Sequence, residues 1–68
     1  MTFELRGDSI DLDNLLKAAG AVSSGTEAGE LIRQGLVSVN GEKESRVRRK
    51  IRKGDCVEVH GDRIEVVS

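Results

Sequence analysis

The stretch Ser24-Gly25-Thr26-Glu27-Ala28-Gly29-Glu30-Leu31-Ile32-Arg33-Gln34-Gly35-Leu36-Val37-Ser38-Val39-Asn40-Gly41 changes its period halfway along. Ser24 followed three residues later by Glu27 is a capping box, which satisfies free amides at a helix start. Ala28, Leu31 and Ile32 then share one helical face, and Gly35 supplies a stop. From Leu36 the period becomes two, so Leu36-Val37-Ser38-Val39 reads as a strand. Asn40-Gly41 is the preferred pair for a type I′ hairpin turn, which needs positive φ at both central residues. A helix that hands over directly to a hairpin predicts an α+β fold. Two residues resist this pattern. Gly25 and Gly29 lower helix propensity, an interior glycine by roughly 1 kcal/mol, so Gly29 calls for close helix packing or close approach of a ligand.

Working outward towards the N-terminus, Leu12, Leu15, Leu16 and Ala19 repeat at helical spacing, and Gly20 follows as a left-handed stop. Asp11 stands at the N-cap of this first helix, where its carboxylate is predicted to accept the first free amides. Ile10 and Leu15 occupy the hydrophobic-staple positions. Residues 2–6 alternate apolar and polar and read as a short first strand or an extended arm. Towards the C-terminus, Lys53-Gly54-Asp55 marks a turn. Val57 and Val59 face one way on the next strand, with Cys56, Glu58 and His60 on the other side. Gly61-Asp62 then turns the chain into Arg63-Ile64-Glu65-Val66-Val67. The layout is two short helices followed by a small antiparallel sheet in one 68-residue domain.

Charge is distributed very unevenly. The formal net charge is −1, yet six of the eight residues of Arg46-Val47-Arg48-Arg49-Lys50-Ile51-Arg52-Lys53 are cationic. Residues 1–30 hold six acids against two bases, residues 31–54 eight bases against two acids, and residues 55–68 four acids against one base. Such a field attracts a polyanion to one face and repels it from the others. If residues 46–52 run extended, Arg46, Arg48, Lys50 and Arg52 share one side while Val47 and Ile51 anchor the segment on the core. The cations would then recur at roughly 6–7 Å, a spacing comparable to that of successive phosphates on one strand. An ordinary solvated charged loop, or an edge strand protected from aggregation by its charges, is the plainer explanation, but neither requires six cations in eight residues.

Composition narrows the classes further. At this size folding hides only about 60% of the unfolded surface, which leaves little room for an enclosed substrate pocket. Phe3 is the one aromatic residue. Binders of unpaired strands stack bases on aromatic rings, so folded RNA read through shape and phosphates fits better. Cys56, the sole cysteine, cannot form an internal disulfide and fits a reducing compartment. The N-terminus resembles no signal peptide, and no apolar run is long enough to cross a bilayer. Cys56 and His60 alone do not make a zinc site, and Asp11 and Asp13 are explained by the helix start. Neither metal, cofactor nor catalytic residue is expected.

From Val22 to Gly41, and especially at Leu31-Ile32-Arg33-Gln34-Gly35-Leu36-Val37-Ser38-Val39-Asn40-Gly41, the chain resembles the small-subunit-ribosomal-protein-four-like RNA-binding domain, or alpha-L motif. Leu12-Asp13-Asn14-Leu15-Leu16-Lys17 is similar to that family's first helix. Arg49-Lys50-Ile51-Arg52-Lys53-Gly54-Asp55 and the strand after it are similar to its second half. The resemblance covers about residues 10–67 and implies two packed helices with a small curved sheet, as in the small stand-alone bacterial members. The family's RNA face centres on the second helix, which there starts Ser-Arg-Ser-Glu-Ala-Arg. Here both arginines are replaced, by Gly25 and Gly29, which shifts the expected phosphate grip towards Arg46–Lys53. At matching positions the resemblance carries over Ser24, Thr26, Arg33, Gln34 and Lys43, with Lys17 from the first helix.

The sequence therefore predicts a non-enzymatic, cytoplasmic, monomeric α+β protein that binds structured RNA mainly through phosphates, with ribosomal RNA, transfer RNA and the ribosome as candidate partners and no membrane. Its expected contacts are Lys17, Ser24, Thr26, Arg33, Gln34, Lys43, Arg46, Arg48, Arg49, Lys50, Arg52 and Lys53. The rival readings are a protein-interaction module whose basic edge grips an acidic partner and, with no metal-ligand or nucleophile–base set behind it, a small hydrolase or nuclease.

Overall fold

Alternation in the C-terminal half builds the sheet that carries everything else. The computed structural model describes residues 1–68. Strands β3 (Val37–Val39) and β6 (Cys56–Val59) pair antiparallel and point Val37, Val39, Val57 and Val59 inward, all buried. β7 (Asp62–Val67) adds Ile64 and Val66 to that face, with Val57 opposite Ile64. Asn40 and Gly41 take φ of 53° and 86°, so the I′ turn forms as its sequence dictates and leads into β4 (Glu42–Lys43). The β6–β7 turn lies one residue earlier than expected. His60 (φ 55°) and Gly61 make it, and Asp62 already pairs with Val59. Placing His60 in the turn removes it from the strand face shared by Cys56 and Glu58.

With β1 (Thr2–Glu4) at one edge, the five-stranded sheet has the order β1-β7-β6-β3-β4 and is mixed, not antiparallel throughout. β1 runs parallel to β7, with Phe3 beside Val66. The reason is topological: β1 and β7 are joined by the whole intervening chain, so no tight turn imposes an antiparallel return.

Two helices cover the apolar face of the sheet. α1 (Leu12–Ala18) places Leu12, Leu15 and Leu16 in the core at 0% exposure, and α2 (Gly25–Arg33) adds Ala28 and Ile32. Full burial of a leucine or isoleucine is worth about 1.5–3 kcal/mol, so these few side chains dominate stability. Ser24 caps α2 as expected, its Oγ accepting the Glu27 amide at 3.1 Å. The reciprocal half is displaced by one residue, because Oε1 of Glu27 accepts the amide and the hydroxyl of Ser23, both at 2.9 Å. Those two bonds, the amide first, hold the Glu27 carboxyl below its ordinary range.

The start of α1 departs from expectation in a way that matters for the site. Asp11 occupies the N-cap position but its side chain caps nothing. Instead the Leu12 amide donates to the Arg49 carbonyl at 2.9 Å and the Asp13 amide to the Val47 carbonyl at 3.1 Å. The backbone of the basic segment therefore terminates the helix. That frees the Asp11 carboxylate to accept from Lys50 Nζ at 2.8 Å. The two residues face each other across a second, two-stranded antiparallel sheet made by β2 (Ile10–Asp11) and β5 (Lys50–Ile51). Ile51, opposite Ile10, is fully buried and anchors the segment.

Candidate functional site

Only Lys50 and Ile51 of the basic segment are strand, so the extended comb expected over residues 46–52 does not form. Arg46 to Arg49 make a turn, closed by the Arg49 amide donating to the Arg46 carbonyl at 3.2 Å. Two constraints bend the chain here. The carbonyls of Val47 and Arg49 are committed to α1, and Val47 packs against the core. The cations still converge. Arg46, Arg48, Arg49, Lys50 and Arg52 together line an open depression of about 530 Å³ with no apolar lining residue. Anchoring by Val47 and Ile51 holds as expected.

Three of the six cations are engaged inside the molecule. Glu44, a residue to which the sequence drew no attention, is buried and faces into the turn. Its Oε2 accepts the Arg46 amide at 2.9 Å and Arg46 Nε at 3.1 Å, while Oε1 accepts Arg46 Nη2 at 3.0 Å and Arg49 Nη1 at 2.9 Å. The Arg46 guanidinium first, then the Arg46 amide, outweigh burial and, with Arg49, hold the Glu44 carboxyl far below the usual carboxylate range. The same contact raises Arg46. Lys50 pairs with Asp11. Arg48, Arg52 and Lys53 form no ion pair.

The far end of the segment is tied to the first hairpin. Asn40 Nδ2 donates to Asp55 Oδ1 at 3.0 Å, Asn40 Oδ1 accepts the Cys56 amide at 2.9 Å, and Asp55 Oδ2 accepts the Arg52 amide at 2.8 Å. Burial pushes the Asp55 carboxyl up, but the Arg52 amide, the Asn40 amide group and the nearby Arg49 and Arg52 charges more than offset it and lower the pKa. Asn40 and Asp55, which stand out in the sequence as turn residues, thus fix where the basic segment ends.

Beside the cationic depression lies a groove of about 360 Å³ lined by Asp13, Gly25, Thr26, Gly29, Glu30, Arg33, Val47 and Arg48. Arg48 lines both and joins the face of α2 to the basic turn. Neither glycine is there for packing. A Cβ at Gly25 would meet nothing within 4 Å, and one at Gly29 only the Arg33 guanidinium, from 3.4 Å. Close packing of α2 is therefore not what selects these glycines, and the groove between them is open.

The remaining expected contacts scatter. Lys53 lines a separate depression with Leu5, Gly7, Asp8, Arg52 and Ser68. Lys43 lies on the edge strand β4, its Cδ 3.8 Å from the position of a Cβ on Gly35. Gln34 is the C-cap of α2, Ser24 is spent on its N-cap, and Lys17 sits exposed in the last turn of α1. Lys17, Ser24, Gln34 and Lys43 border neither the cationic depression nor the groove. The signal that could have found Glu44 is weak. An acid two residues before one arginine and five before another is common, and nothing local announces its burial.

No helix is long and apolar enough to cross a membrane. Among curated proteins none matches the chain. Its fold is similar to the solution structure of YbcJ from E. coli, with a TM-score of 0.76 and 38% identity over 98% of this chain and 86% of that one. YbcJ carries an αL motif involved in RNA binding. The S4 domain family matches residues 3–67, nearly the entire length, and takes in the capped α2, the Asn40–Gly41 hairpin and the basic turn alike. With a sequence match of that extent and a shared arrangement of two helices on a small sheet, this chain belongs to the S4 domain family.

Proposed function

We propose that the chain is a non-enzymatic RNA-binding protein that grips the sugar–phosphate backbone of a structured RNA in the depression lined by Arg46, Arg48, Arg49, Lys50 and Arg52. The observation that carries this reading is the convergence of five cations on one open surface without an apolar lining residue. Membership of the S4 domain family and the likeness to YbcJ support RNA as the polyanion. Guanidinium groups suit it, since their planar forks meet phosphate oxygens in pairs.

The preference for folded RNA rests on what surrounds the cations. Phe3, the sole aromatic residue, is packed against the core and lines a different depression with Glu4, Leu5, Arg6, Ser9 and Ile10. No ring stands beside the cations on which an unpaired base could stack. Thr26 and Arg33 reach the same RNA from α2 through the groove that Arg48 shares. Ribosomal or transfer RNA in the cytoplasm, met by a monomer, is the setting this reading favours.

The test is a titration of the purified chain against an RNA hairpin and an unpaired strand of equal length. Tighter binding to the hairpin, with a raised 260/280 nm absorbance ratio in the unwashed protein that nuclease removes, is the expected outcome. Absence of RNA binding at low salt would overturn the function, and equal affinity for the two forms would overturn the preference for structure.

A further inference from the structure

An acid bound to the cations of a polyanion site works against it unless it does something else. Glu44 is such an acid. Its side chain is 7% exposed, and its two oxygens take four hydrogen bonds, all from Arg46 and Arg49. A carboxylate can only accept, and a buried one whose oxygens are already occupied offers RNA nothing directly. What it does is fix its partners. Arg46 commits Nε and Nη2 to Glu44 and Arg49 commits Nη1, while the Arg46 side chain remains 73% exposed and that of Arg49 29%. Each guanidinium has five N–H donors, so both keep donors that Glu44 does not take, and both line the depression.

We infer that Glu44 is a positioning residue of the RNA-binding face, holding the Arg46 and Arg49 guanidinium groups in the orientation in which they meet the RNA backbone. The inference rests on the function proposed above and deepens it. Long side chains that are ordered before binding lose less freedom on binding, and two forks fixed by one carboxylate present their donors together. The consequence has a sign that simple electrostatics would reverse. Removing a negative charge from a surface that binds a polyanion should strengthen binding through charge alone. If Glu44 positions the arginines, removing its charge weakens binding.

Glu44→Gln decides between the two. Glutamine keeps the shape, but its amide group turns one acceptor into a donor facing guanidinium. The wild-type chain and the variant are titrated against one labelled RNA hairpin over a salt series, with melting curves on the same preparations. Expected are an affinity loss of about tenfold and a log–log salt slope shallower by about one to two, the share of two phosphate contacts. On a background of Arg46→Gln and Arg49→Gln the same substitution should change affinity less than about twofold, because its partners are gone. A loss of equal size in that background would mean a general loosening of the fold and would overturn the inference. So would unchanged or tighter binding by a folded Glu44→Gln chain. Should that variant not fold, Glu44→Asp keeps the charge while drawing the carboxylate back from both guanidinium groups, where a clear affinity loss agrees with positioning and unchanged affinity contradicts it. Wild-type protein that binds no RNA sinks the proposed function itself, whereas binding wild type beside a tighter Glu44→Gln sinks only the role of Glu44.

Discussion

The basic turn and the outer face of α2 meet at Arg48, yet they treat their acids in opposite ways. In the turn, Glu44 and Asp11 are each bound to cations, so the two carboxylates orient Arg46, Arg49 and Lys50. Beside α2, Glu30 of that helix and Asp13 of α1 line the groove with no cation paired to either, and Arg33 is the only base α2 contributes to it. An anion approaching the turn meets organised donors, while one approaching the groove meets free carboxylates. Counting charges along the sequence misses this difference. What decides the field is which acids are already occupied.

Removing the turn's charge should have the greatest consequence for binding. Replacing Arg46, Arg48, Lys50 and Arg52 together with Gln should cost on the order of 100-fold in RNA affinity at moderate salt, uniformly across RNA sequences. The fold should survive. The exposed ion pair lost with Lys50 is worth about 0–1 kcal/mol, Arg49 still pairs with the buried Glu44, and the anchors Val47 and Ile51 are untouched. Unchanged affinity in the folded quadruple variant would remove the turn from the site.

Single substitutions sharpen the contrast between free and paired cations. Arg48→Gln removes a charge that has no internal partner and should weaken binding about tenfold, with the salt slope reduced by about one. Lys50→Gln removes a charge already shared with Asp11 and should cost less, about threefold, by the same titration. Equal losses would show that internal pairing does not govern what the RNA meets.

The helix side can be strengthened instead. Gly29→Arg adds a cation where the groove is acidic and raises helix propensity by up to about 1 kcal/mol. The new Cβ meets only the flexible end of Arg33, so it should be accommodated. Affinity should rise about two- to threefold and the melting temperature slightly. A fall in both would mean that α2 needs glycine at this buried position.

Much of the fold is legible in the residues because it is local. The Ser24 cap, the Gly35 stop and the Asn40–Gly41 turn are each decided within four residues of chain, and the alternating valines select the buried face. What could not be read depends on distant partners. Asp11 fails to cap its helix because carbonyls of Val47 and Arg49 reach it first, and it meets Lys50 from 39 residues away. The parallel pairing of β1 with β7 is equally non-local. The membership of the basic cluster was visible as composition, but its shape was not, because a bent turn and an extended comb have the same sequence.

The smallest expected effect is on stability against pH. Glu44, Glu27 and Asp55 all have carboxyls lowered in the folded chain. A lowered folded pKa contributes stability that is present above the unfolded value, near 4.5 for Glu44, and is lost as pH falls through the folded one. The melting temperature should therefore be flat near neutrality and decline below about pH 4.5, less steeply in Glu44→Gln than in the wild type. Parallel curves would show that the paired acid of the turn does nothing for the fold.

RNA held by its phosphates on organised cations of the turn must respond steeply to salt. The most direct measurement is the affinity of the wild-type chain for an RNA hairpin at a series of salt concentrations. A straight log–log plot with a slope of about −3 to −4, corresponding to on the order of four phosphates, is the result expected. Affinity that stays flat from low to moderate salt would contradict the electrostatic grip.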